Sequence, residues 1–487
     1  MKKEVKNMHK LIVLVSCFLI TACSLKPNLE IKDVNYTKSL DQNISINKQW
    51  WKTFDDNYLN ILVEQALKNN NDLQIAYINL QKAYEALGIA RSDLLPKLDG
   101  SASGARAKTS INAPSNKSND FVYGNDFNMG LNLSYEVDLW GKYRDGYGAS
   151  KAKLQASEFD YESARLSLIS NVVKTYFNLA SLSEQVKILE ETTQSYQKTY
   201  ELKLEHFKLG VISEYELNKF KAELENSRVL LTNAKIQKEA NTKALKILTS
   251  NDIDDILYNS IEYKKIGQYE LSIPEGIGSE ILLQRPDVQA SLKILEEKNY
   301  LVGVARTAFL PNLSLTGLLG FQSNDLDLLV KHGSNTWNVA GNFAMPIFHW
   351  GEIMNNVNIA KLTKDEAFLQ YENTLKTAFG EIRLALFNRQ SYYENEQNYK
   401  NLFLAQSKIY EISTLRYENG MINLADFLQD QRNYLNAKLS YTNSSYELAN
   451  SIVDVMKAFG GGFNAKEESK ENIEAMEKNL KENFYNN

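Results

Sequence analysis

Cysteine is nearly absent from this 487-residue chain, and two residues, Cys17 and Cys23, cannot build a disulfide framework. Histidine is as scarce, with four residues too scattered along the chain to suggest a ligand set. No HExxH, CxxC, Walker-type loop or Gly-x-Ser-x-Gly occurs, so neither an enzyme nor a metal or other cofactor is expected. The internal sequence also lacks any uninterrupted run of about 20 apolar residues, which excludes a bundle of transmembrane helices. A net charge of −5 leaves nucleic acid an improbable partner. Proline is the most informative scarcity. The seven prolines stand at 27, 96, 114, 274, 286, 311 and 346, so 115–273 and 347–487 are free of the strongest helix breaker.

Long helices are expected in those windows. Leu168, Val172, Tyr176, Leu179, Leu182, Val186 and Leu189 recur at steps of three and four, a coiled-coil stripe with polar residues between. Similar texture fills 215–248, 360–415 and 424–458.

The first residues set the compartment. Lys2, Lys3, Lys6 and Lys10 precede the apolar run Leu11–Ile20 and then Thr21-Ala22-Cys23, the pattern of a secretory signal peptide over 1–22. Ile20-Thr21-Ala22-Cys23 also resembles a bacterial lipobox, in which Cys23 carries lipid, and Ser24 after it resembles the outer-membrane sorting choice. Residues 23–49 read as a polar linker. Within it Asn35 and Asn43, each two residues after an Asp and two before Thr or Ser, fit the extended bacterial N-glycosylation pattern. The residues 464–487 read as a charged tail.

The chain is written twice. Ala90 to Leu98 matches Ala305 to Leu313, and Asn71-Asp72-Leu73 matches Pro286-Asp287-Val288, both 215 residues apart. Trp140-Gly141 matches Trp350-Gly351, and Gly210-Val211-Ile212-Ser213 matches Gly420-Met421-Ile422-Asn423, both 210 apart. The first repeat is placed at 50–250, an inter-repeat linker at 251–275 and the second repeat at 276–463. The change of offset puts a loop of unequal length between the proline motif and the Trp-Gly motif. There the period switches to two. Phe127, Met129, Leu131, Leu133, Tyr135, Val137 and Leu139 alternate with polar or small residues, and Trp337, Val339, Gly341, Phe343, Met345 and Ile347 do the same. Strands are expected at about 98–108, 127–139, 312–322 and 336–348, long enough for tilted membrane strands; soluble hairpins are the alternative. Four strands cannot close a barrel, and open edges are not tolerated in lipid, so the chain must oligomerise. Two copies would supply 8 strands and three would supply 12, and spacing does not choose between them. From each Trp-Gly a helix runs to Gly210 or Gly420, where the chain reverses, with Ser213 and Asn423 as N-caps of the returning helices. A kink in one continuous helix is the alternative reading of the two glycines.

These features resemble the outer-membrane factor family, the TolC and OprM type of duct. The likeness spans 45–463 and rests on Trp50-Trp51-Lys52-Thr53-Phe54-Asp55-Asp56, on Leu282-Leu283-Gln284-Arg285-Pro286-Asp287, on Ala305 to Leu313, on the paired tip glycines and on Ala458 to Phe463. Tyr135 to Arg144 and the closing glycine run are most similar to lipoprotein members of tripartite multidrug pumps. The resemblance implies a mostly α fold with a membrane β-hairpin pair: coiled-coil helices in an α-barrel, and four strands per chain in a 12-stranded trimeric β-barrel. It implies an outer-membrane homotrimer docked to a periplasmic adaptor and an inner-membrane pump of the resistance-nodulation-division (RND) type. A duct for type I protein secretion or for metal efflux shares the fold, and a structural coiled-coil lipoprotein remains a further alternative.

The resemblance also implies a gate. Asp426, six residues past Gly420, corresponds to an acid that faces the pore, and Tyr417 with Glu216 corresponds to a link between neighbouring tip helices. Gln429 stands where some members carry a second Asp, with Asp430 one residue on, and Arg432 matches a gate arginine of another member. The tip turns 210–213 and 420–423 would meet the adaptor.

Overall fold

The computed structural model describes residues 24–29, 44–110, 122–250, 253 and 279–465. Cys23, Asn35 and Asn43, nearly all of the expected 251–275 linker, and the tail beyond Ala465 lie outside the described residues. In chain order the elements are β1 (Ile44–Asn47), a 3-10 turn (Trp50–Phe54), α1 (Asn57–Asn69), α2 (Asn71–Ser92), β2 (Lys97–Thr109), β3 (Val122–Val137), α3 (Lys142–Lys208) and α4 (Glu214–Thr249). There follow α5 (Pro286–Thr307), β4 (Asn312–Ser323), β5 (Asn335–Ala344), α6 (Glu352–Glu418), α7 (Leu424–Ala458) and β6 (Gly462–Ala465). None of the described helices is long and apolar enough to cross a membrane. The chain divides into two compact units, and α3 and α6 contribute their first turns to one and their remainder to the other.

The first unit holds an antiparallel sheet in the order β2-β3-β4-β5. The duplication is visible in its register. Leu98 faces Leu133 in the first hairpin, and Leu313 faces Phe343 in the second, offsets of 215 and 210 on the two strands. β3 and β4 join the hairpins, with Val137 opposite Leu313 and Phe127 opposite Ser323. β3 starts at Val122, ahead of the alternating run at Phe127, because ladder hydrogen bonds need no apolar face. β5 ends at Ala344, short of Ile347.

The second unit is built on an apolar core. Trp50, Trp51 and Phe54 of the 3-10 turn pack with Leu59, Leu62 and Val63 of α1, Val172, Tyr176 and Phe177 of α3, and Ile452 and Met456 of α7. All seven residues of the α3 stripe, Leu168 through Leu189, are buried. Asp56 caps α1, accepting from the main-chain N–H groups of Tyr58 (2.9 Å) and Leu59 (3.1 Å), while its other oxygen accepts from the Tyr176 hydroxyl (2.8 Å). The repeats are stapled alike. Asn70 donates to the Leu248 carbonyl at 3.0 Å, and Arg285, its counterpart, donates to the Ala458 carbonyl at 2.7 Å. Arg285 also reaches Asp287 (3.0 and 2.7 Å) and Glu381 (2.7 Å). Burial lowers its affinity for the proton, but the two carboxylates outweigh that and the net shift is upward. The short β1–β6 pair, Ile44 opposite Ala465 to Asn47 opposite Gly462, closes the two ends of the repeated region and was not legible in four-residue segments.

Candidate functional site

The ends of the two helical hairpins are built by the same local rules. Gly210 (φ +73°) and Gly420 (φ +68°) occupy left-handed backbone that other residues adopt at a cost. Around Gly210, Val211 N–H donates to the His206 carbonyl (2.8 Å) and Gly210 N–H to that of Phe207 (2.9 Å). Met421 to Arg416 (2.8 Å) and Gly420 to Tyr417 (3.0 Å) repeat the pattern, so α3 and α6 both stop in Schellman motifs. Both are therefore chain reversals, not kinks. The returning helices start on side-chain caps. Ser213 Oγ accepts from Glu216 N–H (3.3 Å) while Glu216 Oε2 accepts from Ser213 N–H (3.1 Å), a capping box. Asn423 Oδ1 accepts from Asp426 N–H (2.9 Å), and its amide donates back to Asp426 Oδ2 (2.8 Å).

The two tips share a core in which Phe220 of α4 meets Leu424, Phe427 and Leu428 of α7, with Tyr417 and Ile422 against it. Tyr417 stacks on Phe427 at 4.7 Å between centroids, and Lys203 lies 5.3 Å from the Phe220 ring and 5.0 Å from that of Tyr417. Behind this pair runs a ladder of rings from α6 and α7: Phe427 to Tyr410 (6.2 Å), Tyr410 to Tyr434 (5.0 Å), Tyr434 to Phe403 (6.0 Å) and Phe403 to Tyr441 (5.7 Å). Arg432 joins α7 to α4 through an ion pair with Glu223, and holds Gln429 Oε1 at 2.7 Å.

In the first unit the residues after Cys23 are seated in a cradle. Ser24 Oγ donates to Asp145 Oδ1 (2.7 Å), Arg306 donates to the Leu25 carbonyl (3.0 Å) and Asn299 to that of Pro27 (2.8 Å). Lys26 Nζ lies 4.0 Å from the Tyr300 ring centroid. Gly303 makes room for this, since a Cβ there would sit 2.3 Å from Asp145 Oδ2 and 2.9 Å from Lys26 N. Asp145 is buried, and burial raises its carboxyl above the usual range against the lowering effect of the Ser24 hydroxyl.

With the duplicated hairpins, the four-stranded sheet and the paired tips in view, the sequence profile of outer membrane efflux proteins matches residues 62–250 and 277–461. The chain belongs to that family. Its structure superposes on the Campylobacter jejuni CmeC outer membrane channel with a TM-score of 0.88 at 55% identity, covering 94% of this chain and 99% of that one. The probable efflux pump outer membrane protein TtgC of Pseudomonas putida is 27% identical over 92% of this chain and 94% of its own. The cation efflux system protein CusC of Escherichia coli K12 is 27% identical over 93% and 99%.

In this efflux-family member the structure brings Tyr417, Ile422 and Asp426 together at one tip and Val211, Ile212 and Glu216 at the other. Asp426 and Gln429 are exposed and Asp430 is half-buried. Glu216 closes its carboxylate on its own cap, and no hydrogen bond joins it to Tyr417 within the chain. Glu223, the partner of Arg432, was missed from sequence because nothing local distinguishes it from the other helical acids. The N-terminal cradle was missed too, since the linker's contribution is mostly main-chain carbonyl groups.

Proposed function

We propose that this protein is the outer-membrane exit duct of a tripartite RND-type multidrug efflux pump. It acts as a homotrimer that conducts small molecules passively to the exterior and performs no chemistry of its own. The observation that carries the reading is the four-stranded sheet with two unpaired edges, in a chain whose long helices reverse at matched tips. Three chains would close a 12-stranded barrel, an allowed number. Their helical hairpins would then form a periplasmic α-barrel whose tips meet the adaptor through 210–213 and 420–423. Cys23 would carry the lipid anchor, and Asn35 and Asn43 would accept glycans in a host with the transferase.

The gate is an iris of hairpin tips with Asp426 as its selectivity ring, supported by Gln429, Asp430 and Arg432 and by contacts of Tyr417 and Glu216 across neighbouring helices. Three carboxylates drawn to about 7 Å would repel by about 2.4 kcal/mol per pair at an effective dielectric of about 20, so cations enter and divalents bind. The test is conductance of the purified trimer in a planar bilayer. Asp426→Asn is expected to reduce cation preference and divalent block; unchanged values would move the ring to Asp430. The likeness to CusC favours metal efflux as the second reading. Restoration of drug tolerance, rather than tolerance of metal cations, in a host lacking its own duct distinguishes the two.

A further inference from the structure

Alternate residues of β2 to β5 share a face of the sheet, and one of the two faces is apolar. It carries Leu98 on β2, Leu131 and Leu133 on β3, Leu319 on β4, and Val339 and Phe343 on β5. In an outer-membrane strand that is the face that meets lipid. Among the described strand residues it holds two charges, Arg106 and Lys108. Both are positive, both are exposed, and both stand at the same end of β2. No acid of these strands shares their face. Asp99, Asp126 and Glu136 lie on the polar one, where Asp126 accepts from the amides of Asn128 (2.9 Å) and Gln322 (3.1 Å).

We propose that Arg106 and Lys108 bind the phosphate-bearing headgroup of a lipid in the outer leaflet, with its acyl part laid along the β2 row beneath them. The inference goes beyond the duct and rests only on its orientation, with the helices in the periplasm.

Three observations support the site. The first is its place along the strands. α2 ends beside Lys97 and α3 begins beyond Val137, so Arg106 and Lys108 are at the end away from the helices, which faces the exterior. The second is the level of the apolar band. By the duplication the counterparts of Arg106 and Asn125 are Phe321 and Asn335, the last pair of the β4–β5 ladder. Where the second hairpin closes its apolar row with a ring, the first has a guanidinium and, two residues on, an ammonium. Long cationic side chains at that depth reach the headgroups by extending outward over their own methylenes.

The third is the surface below them. Gly100, Ala102 and Gly104 carry little side chain, beside the bulkier Leu131, Met129 and Phe127 opposite them. A Cβ at Gly104 would sit 3.1 Å from the Phe127 ring, so that ring forms an apolar floor next to Arg106. Above it the Tyr123 ring lies 5.7 Å from Lys108 Nζ. Two cations over a shallow apolar strip complement a phosphate over acyl chains.

The delipidated oligomer, purified in a neutral detergent, tests this. It is titrated with bisphosphorylated lipid A, with the same lipid stripped of phosphate, and with inorganic phosphate, and bound molecules are counted by native mass spectrometry. Arg106→Gln with Lys108→Gln is expected to hold the phosphorylated lipid about tenfold less tightly than the wild type. Arg106→Lys with Lys108→Arg keeps both charges and should retain it. Equal retention by the glutamine variant, or equal binding of the lipid with and without phosphate, would overturn the site. Inorganic phosphate held as tightly as the lipid would overturn the lipid as its ligand. The glutamine variant is expected to conduct as the wild type does and to fall to monomer at the same temperature. Altered conductance would place the cations in the pore, and a lower temperature without lipid would pair them with a neighbouring copy; either overturns the proposal. A wild type that holds the phosphorylated lipid but does not conduct would remove the duct and leave this site standing.

Discussion

Gly420 has open space where a Cβ would stand, so the demand at that position is for backbone conformation alone. Gly420→Ala is expected to destabilise the tip by about 1 kcal/mol through its positive φ, read as roughly fivefold faster amide exchange at Met421. Arg285 is the opposite case, a residue chosen for its partners. Arg285→Met leaves the Ala458 carbonyl and the two carboxylates without their donor. It should cost about 2 kcal/mol, read as a lower unfolding temperature, the half-exposure of Glu381 limiting the loss. Asp145 and Glu158 are both raised by burial, from ordinary values of 3.8 and 4.5. The folded unit therefore binds their protons more tightly than the unfolded chain. Their contribution is most favourable with both protonated and declines as pH rises through the raised values. Asp145→Asn should flatten that slope in melts taken as pH rises from the ordinary carboxylate range. A steeper or unchanged slope would assign the effect elsewhere.

The long helices were legible as elements because burial along each follows the 3.6-residue period, and the α3 stripe is buried as its spacing requires. The two hairpins nonetheless differ in what holds them. Phe403, Tyr410 and Tyr417 recur every seven residues on α6 and meet Phe427, Tyr434 and Tyr441 at the same spacing on α7. The equivalent positions on α3 and α4 are Thr193, Tyr200 and Phe207 against Leu217, Leu224 and Leu231. The second hairpin is thus braced by stacked rings where the first has leucine. Tyr434→Leu removes contacts to both Tyr410 and Phe403 and should loosen α7 by about 1–2 kcal/mol, seen as faster exchange along 427–441. Leu224→Tyr should show no matching gain, since the counterparts of Tyr410 and Phe403 in the first hairpin are Tyr200 and Thr193, which leave it one ring to stack on in place of two.

For the whole molecule, membrane insertion should depend on the strand faces more than on lipid. The exposed apolar rows, with Trp337, Val339 and Phe343 on β5 among them, must be covered by lipid or by a neighbouring strand whether or not an acyl chain is attached. Cys23→Ala behind a conventional signal peptide is therefore expected to yield fewer outer-membrane oligomers but still oligomers. Only soluble monomer would show that lipid drives assembly. The residues by themselves determined the mostly α class, the duplication, the tip glycines and the family likeness. Each of these is written in local composition or in the repetition of a pattern along one dimension. Tertiary structure alone decided that Glu223 meets Arg432, that Ser24 reaches Asp145 across 121 residues, and that β3 joins β4 with Val137 opposite Leu313. Those pairings depend on which groups come within hydrogen-bonding distance once the helices and strands have packed. The acceptors in the cradle are largely main-chain carbonyls, which every sequence carries alike and only a folded chain can tell apart.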